Sequence, residues 1–194
     1  MNTIIACGID QGLANLGYAF IEYNINTNEY RKLETGTLTT ESSEELEDRL
    51  FDIYEMIKTY NLKYNTDIIA CEKLFCNPKV NTKKKSSGEQ AKGKKENRNK
   101  SASIMTTNMV TGIVFLVAGE LGLWIKDFVP GTVKKHVAGY GRATKEDLKK
   151  AIKDFCEKHG IKANTNHETD AIGIALTAIK LYIEEKIRKG SVKA

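Results

Sequence analysis

The sequence predicts an α/β fold built on a mixed sheet, and three observations carry that expectation. The first 40 residues hold three successive strand patterns separated by turn-forming residues, the rest alternates helix and strand patterns, and the 194-residue chain shows no internal repeat and no domain-sized linker. A chain of this length buries roughly 70% of its unfolded surface without disulfide or metal staples, so a single domain spanning 1–194 is expected.

Thr3 to Ile9 is an almost continuous apolar run, short enough for a central strand buried on both faces. Gly17 to Tyr23 and Tyr30 to Leu38 alternate loosely around the turn-forming Asn24 to Asn28, which predicts an antiparallel meander. Ser42 and Glu45 have the spacing of a capping box, and Leu46, Leu50, Ile53 and Ile57 mark one face of a helix reaching about Tyr60. Asp67 to Cys71 returns to a short apolar strand. Ile104 to Leu121 reads as a buried helix, apolar nearly all round, and Leu123 to Val129 as a strand. A helix from near Thr144 shows Leu148, Ala151, Ile152 and Phe155 on one face and stops at Gly160; a last one runs from Glu168 to about Arg188, with Ala171, Ile174, Ala175, Ala178 and Leu181 inward. The predicted order is β-β-β-α-β-α-β-α-α.

Composition narrows the class. Hydrophobic residues make up 41% and charged residues 28%, which excludes a wholly disordered or collagen-like chain. By this reading no apolar run approaches the roughly 20 residues of a bilayer span, and the N-terminus has no basic leader, so a cytoplasmic protein with no membrane partner is expected. Cys7, Cys71, Cys76 and Cys156 lie in apolar surroundings without a repeated spacing, as reduced thiols do. The net charge of +5 is unevenly spread. Lys79 to Lys100 holds nine basic residues and two acidic ones, a local net of +7, so the rest of the chain sums to −2. That stretch has almost nothing apolar to bury and reads as a mobile basic loop, with Lys83, Lys84, Lys85, Lys92, Lys94, Lys95 and Arg98 as candidate phosphate contacts on a nucleic acid.

Two apolar runs end in acids: Ile4 to Ile9 in Asp10, and Ile68 to Cys71 in Glu72. An isolated carboxylate beside a buried strand is costly, and if the two strands are parallel neighbours about 4.8 Å apart, one divalent cation satisfies both. At the head of the last helix, His167 and Asp170 are three positions apart and share a face, while Glu168 points elsewhere. Asp10, Glu72, His167 and Asp170 can then form a cluster of hard oxygen ligands and one imidazole, suited to Mg²⁺ or Mn²⁺. Taken singly, each acid also fits a structural role: a turn carboxylate before Gly12, a solvated loop residue, an acid favoured by a helix N-terminus. Lys145 in the first turn of a helix and Lys134 in a short apolar stretch break local rules; a nearby anion explains both, as does simple solvation.

GIDQGLANLGYAFIE (Gly8 to Glu22), ACEKLF (Ala70 to Phe75), VKKHVAGYGRATK (Val133 to Lys145) and HETDAIGIAL (His167 to Leu176) together resemble, in order and over nearly the whole chain, the RuvC family of Holliday junction resolvases. The resemblance implies a ribonuclease H-like fold: a five-stranded mixed sheet, three antiparallel strands then parallel ones, flanked by helices. It further implies a homodimer that resolves four-way DNA junctions by paired, metal-dependent nicks leaving 5′-phosphate and 3′-hydroxyl ends, in DNA recombination and repair. Carried over position by position, Asp10, Glu72 and Asp170 become acidic metal ligands with His167 as the fourth member, two Mg²⁺ ions per site with Mn²⁺ able to substitute, and Lys134 and Lys145 contact the scissile phosphate region. Phe75 falls on a position that stacks on bases near the junction centre, the alternative being a core aromatic. A branch-migration helicase enters as a candidate partner. The basic segment from Lys79 to Lys100 departs from the family by its length. A relaxed nuclease for branched DNA and a non-catalytic binder of structured nucleic acid remain the alternative readings.

Overall fold

The computed structural model describes residues 3–73 and 90–189, the side chains of 90–103 excepted. Its elements are β1 (Thr3–Asp10), β2 (Asn15–Asn24), β3 (Glu29–Thr39), α1 (Leu46–Tyr64), β4 (Ile68–Glu72), α2 (Gln90–Leu121), β5 (Trp124–Phe128), α3 (Pro130–Ala138), α4 (Lys145–Lys158) and α5 (Asn166–Arg188). The five strands form one sheet in the order β3-β2-β1-β4-β5, antiparallel from β3 to β1 and parallel from β1 to β5.

Period-two alternation divides the sheet's side chains between two apolar layers. On one face Ile4 and Ala6 of β1, Ala19 and Ile21 of β2, and Ile68 and Ala70 of β4 pack with Ala171, Ile174, Ala175 and Ala178 of α5 and with Val133 and Ile152 from α3 and α4. On the other, Cys7, Ile9, Phe20, Ile69 and Cys71 pack with Ile53 and Ile57 of α1 and Val110, Val114 and Val117 of α2. Each such fully buried branched side chain contributes about 1.5–3 kcal/mol. The same parity puts Asp10 and Glu72, each two residues beyond a residue facing α5 or its glycine equivalent, on the α5 side of the sheet.

α5 sits unusually low on the sheet because β1 and β2 offer it glycines. A Cβ built on Gly8 would lie 2.2 Å from the Ala171 carbonyl oxygen, and one on Gly17 2.3 Å from that of His167. Nothing larger than hydrogen fits at either position while the helix keeps its place.

The sheet, α4 and α5 follow the expected pattern, and five details differ. The segment expected to be a loop from Lys79 to Lys100 is helical from Gln90 onward, because it is continuous with the apolar repeat of α2 and carries long-chain helix formers. α3 has no counterpart in the predicted order: it is a nine-residue helix started by Pro130 in its first turn and stopped by Gly139 at φ 90°. α1 has no capping box; Glu45 caps without a side-chain bond, and the Glu44 carboxylate instead accepts from the Glu41 N–H at 3.0 Å. Leu46 is exposed rather than part of the inner face. Ile104–Leu121 of α2, expected to be a buried helix, is apolar enough by length and composition to cross a membrane, yet only 22% of it is buried, with Met105, Phe115 and Leu116 in the open.

Candidate active site

The β1–β4 ladder pairs Ile9 with Cys71, so the next step brings Asp10 opposite Glu72 at the C-terminal ends of two parallel strands. α5 delivers the remaining groups. Its N-cap, Thr165, accepts from the Glu168 N–H at 3.1 Å. Glu168 is turned inward and buried, where its carboxylate accepts from the Asn164 N–H at 3.1 Å and the Thr35 hydroxyl at 3.3 Å. With Glu168 committed to holding the loop before α5 against β3, the face bearing His167 and Asp170 is the one turned to the strand ends.

His167 Nδ1 lies 2.7 Å from Asp10 Oδ2. Glu72 and Asp170 are described by their electrostatics. Burial pushes the Glu72 carboxyl above its ordinary range, and Asp10 and Asp170 push it further, against the pull of Lys145. Burial and Asp10 likewise raise Asp170, while Lys145, Lys149 and His167 oppose them. Three carboxylates therefore repel one another around a shared space that Lys145 also faces. Among the described residues no three His, Cys, Asp or Glu groups stand close enough to hold one ion. The three carboxylates nonetheless bring hard oxygen donors to one end of the sheet, the donor type that a divalent cation takes.

Lys145 reaches the site because α4 begins there. Thr144 and Asp147 form a full capping box, the Thr144 hydroxyl accepting from the Asp147 N–H at 3.1 Å and the Asp147 carboxylate accepting from the Thr144 N–H at 2.9 Å. Tyr140 adds a hydroxyl donation to Asp147 at 2.8 Å, which ties the preceding turn to the same carboxylate. Lys149, one turn on, donates to Asn166 Oδ1 at 3.0 Å and so links α4 to the head of α5. Lys134, on α3, makes no hydrogen bond or ion pair among the described residues. Phe75, Lys83, Lys84 and Lys85 lie outside the described residues, as do the side chains of Lys92, Lys94, Lys95 and Arg98 on the first turns of α2.

Gln11, which the sequence reading did not single out although it lies within the Gly8 to Glu22 motif, also belongs to the site. Buried beside Asp10, it donates its amide Nε2 to the Glu72 carbonyl at 2.5 Å and accepts from the Glu72 N–H at 3.1 Å. The available signal is a side chain with both donor and acceptor placed directly after a strand-ending acid.

Residues 6–96 and 94–178 match the family described as crossover junction endodeoxyribonuclease RuvC. Among curated proteins, the chain is similar to the crossover junction endodeoxyribonuclease RuvC of Rickettsia typhi, 31% identical over 91% of this chain and 97% of that one. It is also similar to that of Halothermothrix orenii, 32% identical over 89% of this chain and 90% of that one. Among solved structures, Thermus thermophilus RuvC in complex with Holliday junction substrate aligns with a TM-score of 0.72, at 21% identity over 97% of both chains. The yeast mitochondrial Holliday junction resolvase Ydc2 aligns with a TM-score of 0.59, at 13% identity over 95% of this chain and 81% of that one. At those identities the structural likeness is one of fold, the ribonuclease H-like sheet with flanking helices.

Proposed function

The chain belongs to the RuvC family of crossover junction endodeoxyribonucleases and is a Holliday junction resolvase, and from that premise we propose that Asp10, Glu72 and Asp170 hold its divalent metal, with His167 and Lys145 serving the reaction beside them. What supports this assignment is geometry: Asp10 and Glu72 end adjacent parallel strands, and the head of α5, which also bears Asp170, is joined to Asp10 through His167.

Family members depend on a divalent metal; for this chain we favour two Mg²⁺ ions, with Mn²⁺ able to substitute, because the donors are hard oxygens. Bound metal supplies an activated water at neutral pH and offsets charge on the leaving oxygen. The chain's own residues supply position and proton handling. With Nδ1 directed at Asp10, His167 holds that carboxylate's orientation in its Nδ1–H form and keeps Nε2 to take a proton from water. Lys145, whose charge reaches both Glu72 and Asp170, steadies the same region when a phosphodiester enters it. Lys134 is assigned to the adjacent phosphate and Phe75 to stacking on bases at the junction centre, on the strength of their motif positions. The basic run from Lys79 to Lys100 is assigned to the DNA arms on its charge. The products of this reading are nicks with 5′-phosphate and 3′-hydroxyl ends.

We assign the uncovered apolar face of α2, with Met105, Phe115 and Leu116 exposed and Phe51 of α1 exposed as well, to a second copy of the chain. A two-fold dimer gives two sites for the two symmetric strands of a junction. A single catalytic domain, a cytoplasmic location, as for other DNA-processing enzymes of bacteria, and a branch-migration helicase as partner complete the proposal.

The test is cleavage of mobile four-way junctions, Y-forks and linear duplex side by side with Mg²⁺ and with Mn²⁺. Paired symmetric nicks confined to the junction are expected, together with an Asp10→Asn variant that binds the junction without cutting it. Junction cleavage by Asp10→Asn overturns the metal assignment, and equal cutting of forks identifies a relaxed branch nuclease.

A further inference from the structure

The β1–β4 ladder closes at the pair Ile9 and Cys71, so the backbone of Glu72 emerges beyond the last paired residue on that side. On its other side β4 remains held, the Lys73 N–H donating to the Phe128 carbonyl of β5 at 2.7 Å. On the β1 side, the carboxamide of Gln11 takes over where the ladder stops: its Nε2 donates to the Glu72 carbonyl and its Oε1 accepts from the Glu72 N–H, at 2.5 and 3.1 Å. A side-chain amide with one donor and one acceptor imitates a peptide unit, and only Gln or Asn carries that pair. Gln11 is 7% exposed, so water competes poorly for either bond.

The consequence is geometric. Asp10 and Gln11 are consecutive, and the first sends its carboxylate toward α5 while the second grips the residue that bears the next carboxylate. The separation of Asp10 from Glu72 is then set by one peptide bond and two shielded hydrogen bonds. We propose that Gln11 is a positioning residue for the metal site, a clamp that extends the β1–β4 ladder by one step so that Glu72 meets the same cation as Asp10. This inference rests on the reading of Glu72 as a ligand. A residue acting through a ligand's backbone is expected to tune metal affinity in the way outer-shell partners do, by roughly 10–100-fold.

The experiment titrates Mn²⁺ into metal-free wild type, Gln11→Ala, Gln11→Met and Glu72→Gln by calorimetry, with junction binding in chelator measured on the same proteins. Gln11→Ala is expected to weaken Mn²⁺ binding about tenfold, with metal-free junction binding unchanged and cleavage largely recovered at saturating Mn²⁺. Gln11→Met, which keeps the volume and loses both bonds, is expected to match it and serves if the alanine variant fails to fold. In the wild type without metal, the Glu72 amide is expected to be protected from hydrogen exchange to the level of Ala70. Exchange of that amide at the rate of an open loop overturns the clamp. So does Mn²⁺ affinity within twofold of wild type in both Gln11 variants while Glu72→Gln loses it. If Glu72→Gln also binds Mn²⁺ as wild type does, the failure belongs to the ligand assignment itself.

Discussion

His167 Nδ1 stands 2.7 Å from Asp10 Oδ2, across 157 residues of sequence, and joins the head of α5 to the end of β1. With Nδ1 engaged by Asp10, Nε2 is the ring nitrogen left for the site, and the proposed role of the imidazole is to orient Asp10 and to meet the metal or its water through Nε2. Replacing His167 by Ala is expected to lower single-turnover junction cleavage at saturating metal by about 10²–10⁴-fold. His167→Asp is expected to retain more activity, with a stronger preference for Mg²⁺ over Mn²⁺. Wild-type rates in His167→Ala would remove the residue from the reaction.

Glu72 and Asp170 are held above the ordinary carboxylate range by burial and by neighbouring acids. A group whose folded value is raised costs stability while ionised, and the cost disappears as pH falls through that raised value. In chelator at neutral pH, Glu72→Gln and Asp170→Asn are therefore expected to be more stable than wild type. Denaturant midpoints across pH check this, and the advantage should shrink on acidification. A loss of stability at neutral pH would mean that these acids are held by favourable contacts.

Gly8 admits α5 against β1. Gly8→Ala places a methyl group on backbone atoms, 2.2 Å from the Ala171 oxygen and 2.6 Å from the Ala175 nitrogen, with no flexible side chain to yield. A cost of about 1–3 kcal/mol is expected in urea unfolding. Cleavage should fall further than stability accounts for, because the displaced helix carries Asp170. A variant with wild-type stability would show that α5 rides higher than described.

Neutralising Lys83, Lys84 and Lys85 together, in an Asp10→Asn background that holds the DNA uncut, is expected to weaken junction binding. The dependence of binding on salt should flatten by roughly 0.9 for each duplex phosphate that the lysines no longer neutralise. An unchanged slope in a fluorescence titration would take these lysines off the DNA.

Leu116 is 61% exposed on the uncovered face of α2. If this face pairs two copies as proposed, the wild type sediments as a dimer, and Leu116→Glu is expected to sediment as a monomer and to replace paired junction cuts with single, uncoordinated nicks. A dimer that survives the charge would direct the search for the interface elsewhere.

Much of this architecture is legible in the residues because its signals are local. The apolar runs of β1 and β4 and their terminal acids announce two of the three inner strands, and the spacing of His167 and Asp170 announces a shared helix face at the head of α5. The threonine at position 144 marks the start of α4. What escapes a sequence reading depends on tertiary context. α3 is too short for periodicity to declare, and Ser42 does not cap α1 because Glu44 closes the preceding turn on Glu41 instead. The role of Gln11 is invisible until the ends of β1 and β4 are placed side by side, since the same side chain in an exposed turn would go to water. The exposed apolar face of α2 carries the same hydrophobic signal as a core helix, and sequence periodicity does not distinguish burial within one chain from burial between two.

The positions of the acids separate holding DNA from cutting it during folding. On the function proposed above, attraction to phosphate rests with a short contiguous stretch of basic sequence, present as soon as those residues leave the ribosome. Hydrolysis on that reading draws on Asp10, Glu72 and Asp170, from chain positions far apart, which come together only after β4 has crossed to β1 and α5 has settled on both. A nascent or partly unfolded molecule is then expected to adhere to DNA without being able to break it, with nuclease activity confined to completely folded protein.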